Sequence, residues 1–291
     1  MYMDILQNMK VSPGAVPSLI ITAVVLFLLP ILWVVVWKRH CKETVSLAPL
    51  FFGAAGFLVF SRVLEQGLHM ICIVGDNPVS RFINSSTAAY VIYGSLMAGI
   101  FEECGRYIVI RFIMKKNKTR ENMVMYGIGH GGIEVWAVVL LSVLNLLIIA
   151  LMIQNQGIER VLQSLGISGD VPDLFSAPML SNVMSLIASA AGYNAMTALL
   201  CVLERIVCMF IHVSLTVLVA YGINKNEKKY LPLAILAHAI VDTMPALSQR
   251  MSGSIGILIT ELWICICAAG LTIWAGRLYK QWTEQAPCST S

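Results

Sequence analysis

Long apolar runs follow one another along the chain with only short polar breaks between them. A helix needs about 20 mostly apolar residues to cross a bilayer. Seven runs meet that length: Val16–Trp37, Val45–Val74, Thr87–Met114, Asn122–Ile153, Tyr193–Ile223, Tyr230–Leu247 and Ile255–Lys280. The pattern predicts an all-α, polytopic membrane bundle of about seven transmembrane helices, forming a single domain over residues 1–291. The fourth and fifth runs exceed the bilayer thickness, which predicts tilt or extension beyond it. Between them Gln154–Leu180 is the one sizeable loop, broken by Gly157, Gly166, Gly169, Pro172 and Pro178. Ser181–Ala191 reads as a short interfacial helix. The first run lacks a basic stretch before it and ends in Lys38-Arg39, so it reads as a retained span and not a cleaved signal.

Composition agrees with the pattern. Hydrophobic residues make up 58% of the chain and charged residues 12%, about half the charge of a soluble domain. Where the charge sits matters more than its net value of +4. Twelve of the 20 Lys and Arg residues fall in alternate loops and at the C-terminal end, against four on the other side. Basic loops stay cytoplasmic, so the N-terminus is expected outside and the C-terminus in the cytoplasm of a multi-pass cell-membrane protein. Basic residues confined to short loops do not make a nucleic-acid surface. The eight cysteines show no CxxC pair and no regular spacing, so neither a disulfide framework nor a zinc knuckle is expected.

The remaining ionisable residues lie within the spans, where an unpaired charge costs several kcal/mol. They cluster. The third run holds Glu102, Glu103 and Arg106; the fourth holds His130 and Glu134 within a glycine-rich stretch (Gly127, Gly129, Gly131, Gly132); the fifth holds Glu204, Arg205 and His212; the sixth holds His238 and Asp242. Counted from the nearest basic loop, Glu103, His130, His212 and His238 all lie about 14–20 Å deep. Four helices thus place a carboxylate and three imidazoles in one mid-membrane layer. His130 and Glu134 are i,i+4, as are His238 and Asp242, so each histidine has a carboxylate on its own helix face that can fix its tautomer. Arg106, three or four residues from the glutamates, is the cation expected beside two carboxylates that cannot both ionise cheaply. Glu204 and Arg205, with Glu65 and Arg62 on the second run, read as a structural ion-pair layer nearer the outer face. The glycines leave room for another helix or a peptide backbone to come close.

Such a set permits two chemistries. His130, His212, His238 and Glu103 could hold a zinc ion with an open position, although no HExxH signature is present. Alternatively, a buried glutamate and a histidine could activate water without a metal. A proton or divalent-metal transporter would use the same residue types, but the polar residues form one layer and not a column, and no internal repeat of the kind many transporters show is visible. A seven-helix receptor or scaffold is the third reading, and it gives the histidine layer no role.

The run Glu102-Glu103 with Arg106, then Tyr126-x-x-x-His130, then His238-x-x-x-Asp242 resembles the CAAX-prenyl-protease and bacteriocin-processing superfamily, whose motifs EExxxR, FxxxH and HxxxN/D follow in that order. The FEExGR and GHGGxE runs, and Glu204-Arg205 followed by His212, are similar to the YhfC-type intramembrane proteases over nearly the whole chain. The resemblance implies hydrolysis of a peptide bond in a membrane-associated protein or peptide, with Glu102 or Glu103, His130 and His238 as carriers. Glu-Glu to Arg is one residue shorter here than in EExxxR, Tyr stands for Phe at 126, and His212 has no counterpart in the wider motifs.

Overall fold

The protein was described as a computed structural model over residues 10–41, 45–164, 177–251 and 254–282. These residues form helices and turns, with no strand among them. In a bilayer each backbone N–H and C=O must be satisfied within its own segment, and helices meet that demand. In chain order the helices are α1 (Ala15–His40), α2 (Ala48–Val74), α3 (Pro78–Ser85), α4 (Thr87–Ile108), α5 (Arg120–Gln156), α6 (Ile158–Ser164), α7 (Ala177–Ala191), α8 (Ala195–Lys225), α9 (Tyr230–Ser248) and α10 (Ser254–Gln281). Six of them (α1, α2, α5, α8, α9, α10) are long and apolar enough to cross a membrane.

The seventh expected span is α4, 22 residues of α-helix that run on through a π-helical turn, Val109–Ile113. It is long enough to cross, but its apolar character is broken by Glu102, Glu103, Arg106 and Arg111. The first three of these are buried against other helices. Other differences from the sequence reading are local. The expected loop Gln154–Leu180 contains helix α6, and its residues 165–176 lie outside the described residues. The expected interfacial helix is α7, which begins four residues earlier than Ser181. Helix α3 was not expected. Asn77 starts it by accepting hydrogen bonds from the backbone N–H of Val79 and Ser80 on its side chain, while the Ser80 hydroxyl accepts from the Asn77 N–H. That reciprocal cap and Pro78 at the first position compensate for an otherwise short, polar helix.

The chain divides into two compact units, residues 1–28 with 135–203 and residues 29–134 with 204–291. Within the first, Tyr193 donates from its hydroxyl to Thr22 at 3.3 Å, and the Trp136 indole donates to the Phe27 carbonyl at 3.1 Å. The second unit contains every ionisable residue of the mid-membrane layer.

Close helix approach organises that second unit. A Cβ at Gly129 would lie 2.0 Å from the Leu50 carbonyl oxygen, and one at Gly53 would lie 2.1 Å from the Tyr126 oxygen. Helices α2 and α5 therefore touch backbone to backbone through a reciprocal pair of glycines, a spacing only the absence of side chains allows. Gly131 performs the same service toward α8, where an added Cβ would meet Met209 Sδ at 3.0 Å and His212 Cβ at 3.3 Å. The start of α5 is pinned by Trp37, which donates to the Glu121 carbonyl at 2.9 Å, and by Asn122, whose side chain accepts from the Ser46 N–H at 2.9 Å.

Candidate functional site

The depth count placed Glu102, Glu103, His130, His212 and His238 in one layer, and all five side chains meet there, buried. Glu102 is the hub. Its Oε2 lies 2.9 Å from His130 Nε2, 3.9 Å from His212 Nδ1 and 3.9 Å from His238 Nε2. The rings are close enough to act on one centre: centroids of His130 and His212 are 5.1 Å apart, and those of His212 and His238 are 5.9 Å apart. Phe57 sets its edge against His130 at 5.2 Å.

Around this hub lies a second set of contacts that orients it. Glu103, with no exposed surface, pairs with Arg106 and accepts a hydrogen bond from His238 Nδ1 at 2.7 Å. Glu134 pairs with His212 Nε2 and accepts from Arg205 at 3.0 Å, and Arg205 also pairs with Glu204. An ionised carboxylate only accepts hydrogen bonds. With Glu103 ionised, the His238 Nδ1 contact is an N–H donation, and His238 Nε2 and His212 Nδ1 are the nitrogens turned toward Glu102. An imidazole held by a carboxylate on its outer nitrogen is how a histidine ligand is oriented toward a metal.

Several sequence expectations are relocated by this geometry. Glu103 was grouped with the three histidines as a ligand. Among the described residues the three-member group whose ligand atoms all lie within 4.8 Å of one another is Glu102, His130 and His212. Glu103 is turned away because the Arg106 guanidinium, three residues on, neutralises it where no water reaches. Arg106 thus holds one glutamate of the pair, and its other end reaches His212 Nδ1 at 3.4 Å. Glu134 was expected to fix the His130 tautomer across one turn. It serves His212 instead, because α8 brings both His212 and Arg205 to it, and His130 turns to Glu102 on α4. His130 Nδ1 is left without a hydrogen-bond partner. Asp242 does stand by His238, Oδ2 at 3.4 Å from Nε2, and with 30% of its side chain exposed it is far more open than Glu102 or Glu103. The outer ion-pair layer also differs. Arg62 is exposed, Glu65 is bound by Ser61 and His69 of its own helix, and Arg205 turns to Glu134 and Glu204. The role of Arg205 in supporting Glu134 was missed; its only sequence signal was its place two turns before His212 on one helix.

A cavity of about 430 Å³ opens onto the layer. Glu102, His212, His238 and Asp242 line one end, and Tyr90 and Gln249 the other. Twelve residues separate Tyr90 from Glu102 on α4, so the cavity extends about 18 Å along the helices, away from the ends that carry the basic loops. At its far end the Tyr90 hydroxyl donates to Gln249 at 2.7 Å, and Arg250 stacks over the Tyr90 ring at 4.0 Å. Two imidazoles and a carboxylate, buried together with His212 backed by Glu134, are a nitrogen–oxygen donor set that suits a first-row metal ion.

The family model described as YhfC intramembrane metalloprotease matches residues 25–264. A membrane protein of Bacillus subtilis (strain 168), called uncharacterized membrane protein YhfC, is 35% identical over 240 residues, which is 82% of this chain and 87% of the relative. No solved structure matches.

Proposed function

The chain belongs to the YhfC intramembrane metalloprotease family, and from that premise we propose that it is an endopeptidase that hydrolyses a peptide bond of a membrane-associated protein or peptide at the Glu102–His layer. The observation that carries the proposal is the convergence of Glu102, His130, His212 and His238 on one buried centre, with Glu102, His212 and His238 lining a 430 Å³ cavity. Glu102 Oε2, His130 Nε2 and His212 Nδ1 are the atoms that would hold a metal, and zinc is the ion we assign to them. When bound, such an ion supplies Lewis acidity toward a carbonyl oxygen and makes its bound water easier to deprotonate.

The other residues divide the remaining work. Glu103 and Glu134 are anchors: they keep His238 Nε2 and His212 Nδ1 turned inward. Arg106 and Arg205 hold those anchors ionised in a site with little water. Glu103 is too enclosed to exchange protons with substrate. Asp242 and His238 Nε2 face the cavity and are the groups placed to accept the proton of the attacking water and return it to the leaving amine. With the N-terminus outside and the C-terminus in the cytoplasm, as the basic-loop count predicts, the cavity would admit water and substrate from the outer half of the membrane. A transporter would require a path past the layer, and there the buried Arg106 and Tyr126 are packed.

The test has two parts. Metal content is measured on purified wild type and on a His130→Ala/His212→Ala variant, with about one zinc per chain expected only in the former. New protein N-termini are then mapped in membranes from cells producing wild type or Asp242→Asn. Cleavage sites common to both preparations and to a strain lacking the protein would leave no peptidase to assign.

A further inference from the structure

A second polar cavity lies at the opposite end of α4, where the basic loops are. It measures about 370 Å³ and is lined by Arg111, Lys118, Asn224, Asn226 and Trp282, among others. Two turns build it. Asn117 and Asn226 both take left-handed backbone conformations, with φ of 61° and 56°, which asparagine tolerates better than most residues. The first turn folds Lys118 back over the end of α4, where its ammonium donates to the Arg111 carbonyl at 3.3 Å. The second brings Asn224 and Asn226 to face it. Trp282, only 6% exposed, lines it, and its indole Nε1–H has no hydrogen-bond partner among the described residues.

The pocket brings two cations and the buried Trp282 indole together. Among the described residues no carboxylate lies within ion-pair distance of Arg111 or Lys118. Burial and the Arg111 guanidinium pull the Lys118 ammonium below the usual lysine range, the effect of a cation held beside another cation. A buried indole N–H normally finds a partner. Ile108, one turn from Arg111 toward the membrane centre, and Phe112 beside Arg111 are 37% and 65% exposed and share a helix face, so an exposed apolar strip adjoins the cationic pocket.

We propose that this pocket binds a phosphate group, carried by an acidic phospholipid whose acyl chains lie along Ile108 and Phe112. Arg111 and Lys118 neutralise the phosphate, and the Trp282 indole and an asparagine amide donate to its oxygens. Basic pockets between helices at this level of a membrane are suited to anionic headgroups, and the exposed apolar strip is what favours a lipid over a free phosphate ester. The site is separate from the Glu102 layer and does not depend on peptidase activity.

Thermal unfolding of the purified full-length protein in phosphatidylcholine nanodiscs decides the matter, with phosphatidylglycerol titrated into the discs in one series and inorganic phosphate added in another. Saturable stabilisation by phosphatidylglycerol is expected, with half-saturation about fivefold weaker for Arg111→Gln or Lys118→Gln and roughly twenty-five-fold weaker for both together. The same stabilisation by inorganic phosphate alone, lost in the same variants, would keep the phosphate site and assign it to a soluble ligand. A double variant that responds like wild type, or a wild type that shows no response to either ligand, would overturn the proposal. If the double variant does not fold, Lys118→Gln settles the question alone, because its side chain is partly exposed and the substitution leaves α4 intact.

Discussion

Two clusters in the second unit combine a histidine with a buried glutamate, yet they differ in kind. On α2, Glu65 accepts from Ser61 at 2.9 Å, pairs with His69 at 3.3 Å, and His69 reaches the Tyr93 hydroxyl at 3.1 Å. Most of those partners are one turn away on the same helix, and the cluster forms almost wherever the helix forms. In the Glu102 layer the corresponding same-helix pair, His130 with Glu134, does not form. Each instead joins a different helix, His130 to Glu102 on α4 and Glu134 to His212 and Arg205 on α8. The contrast shows that i,i+4 spacing creates a local polar patch, whereas a site with inward-facing imidazole nitrogens requires side chains from four helices and a second set of carboxylates behind them. Convergence of this kind concentrates both chemistry and stability risk in one place.

The comparison can be broken most severely at the proposed ligand atoms. His130→Ala together with His212→Ala is expected to remove bound metal and to lower peptide cleavage by at least the ~10²–10⁴-fold that a single acid–base group contributes, read as metal per chain and cleavage rate. His69→Phe, the corresponding change in the α2 cluster, should leave the metal content at its wild-type value, although His69 lines the same cavity. If it too removed metal, the two clusters would not be distinct.

Arg106→Leu comes next. It strands the Glu103 carboxylate without its cation, and breaking a buried pair from one side costs about 3–5 kcal/mol. Thermal unfolding in detergent checks this, and Glu103→Leu/Arg106→Leu should recover a large part of the loss because no unpaired charge remains. Failure of the double variant to recover would mean that the pair is held by something other than mutual neutralisation.

Gly129→Ala sharpens the comparison from the packing side. The new methyl would meet the Leu50 carbonyl, so α2 and α5 must separate, at a cost of about 1–3 kcal/mol as for other overpacked interiors. Because His130 adjoins Gly129, activity should fall together with stability. Gly67→Ala, on the α2 cluster's own helix, has nothing within 4 Å of its added Cβ and is expected to be neutral in the same unfolding assay.

The smallest effect belongs to Glu65→Gln. Ser61 and His69 can still hydrogen-bond the amide, so a stability change of about 1 kcal/mol or less is expected with cleavage unaffected. A loss of activity as large as that of the ligand variants would make the α2 cluster part of the site.

Much of this protein was written in one dimension. Runs of some 20 apolar residues could become nothing but spanning helices, because lipid offers no other partner for the backbone. Counting residues from the basic loops was enough to bring Glu102, Glu103, His130, His212 and His238 to one depth, since helical rise is constant. The glycines of α5 announced a close helix approach, although not that Gly53 on α2 would return it. Rotation about each helix axis was a different matter. Depth is set by local geometry, but azimuth is set by which neighbour a helix packs against, and no spacing rule contains that neighbour. Adjacent residues on a helix point about 100° apart, so Glu102 and Glu103 could not share a role, and only the placement of α9, α8 and Arg106 decided that Glu102 faces the histidines while Glu103 supports them from behind. The same packing sent Glu134 to His212 and drew Arg205 into the site, because a buried carboxylate goes to the cation that tertiary structure brings within reach.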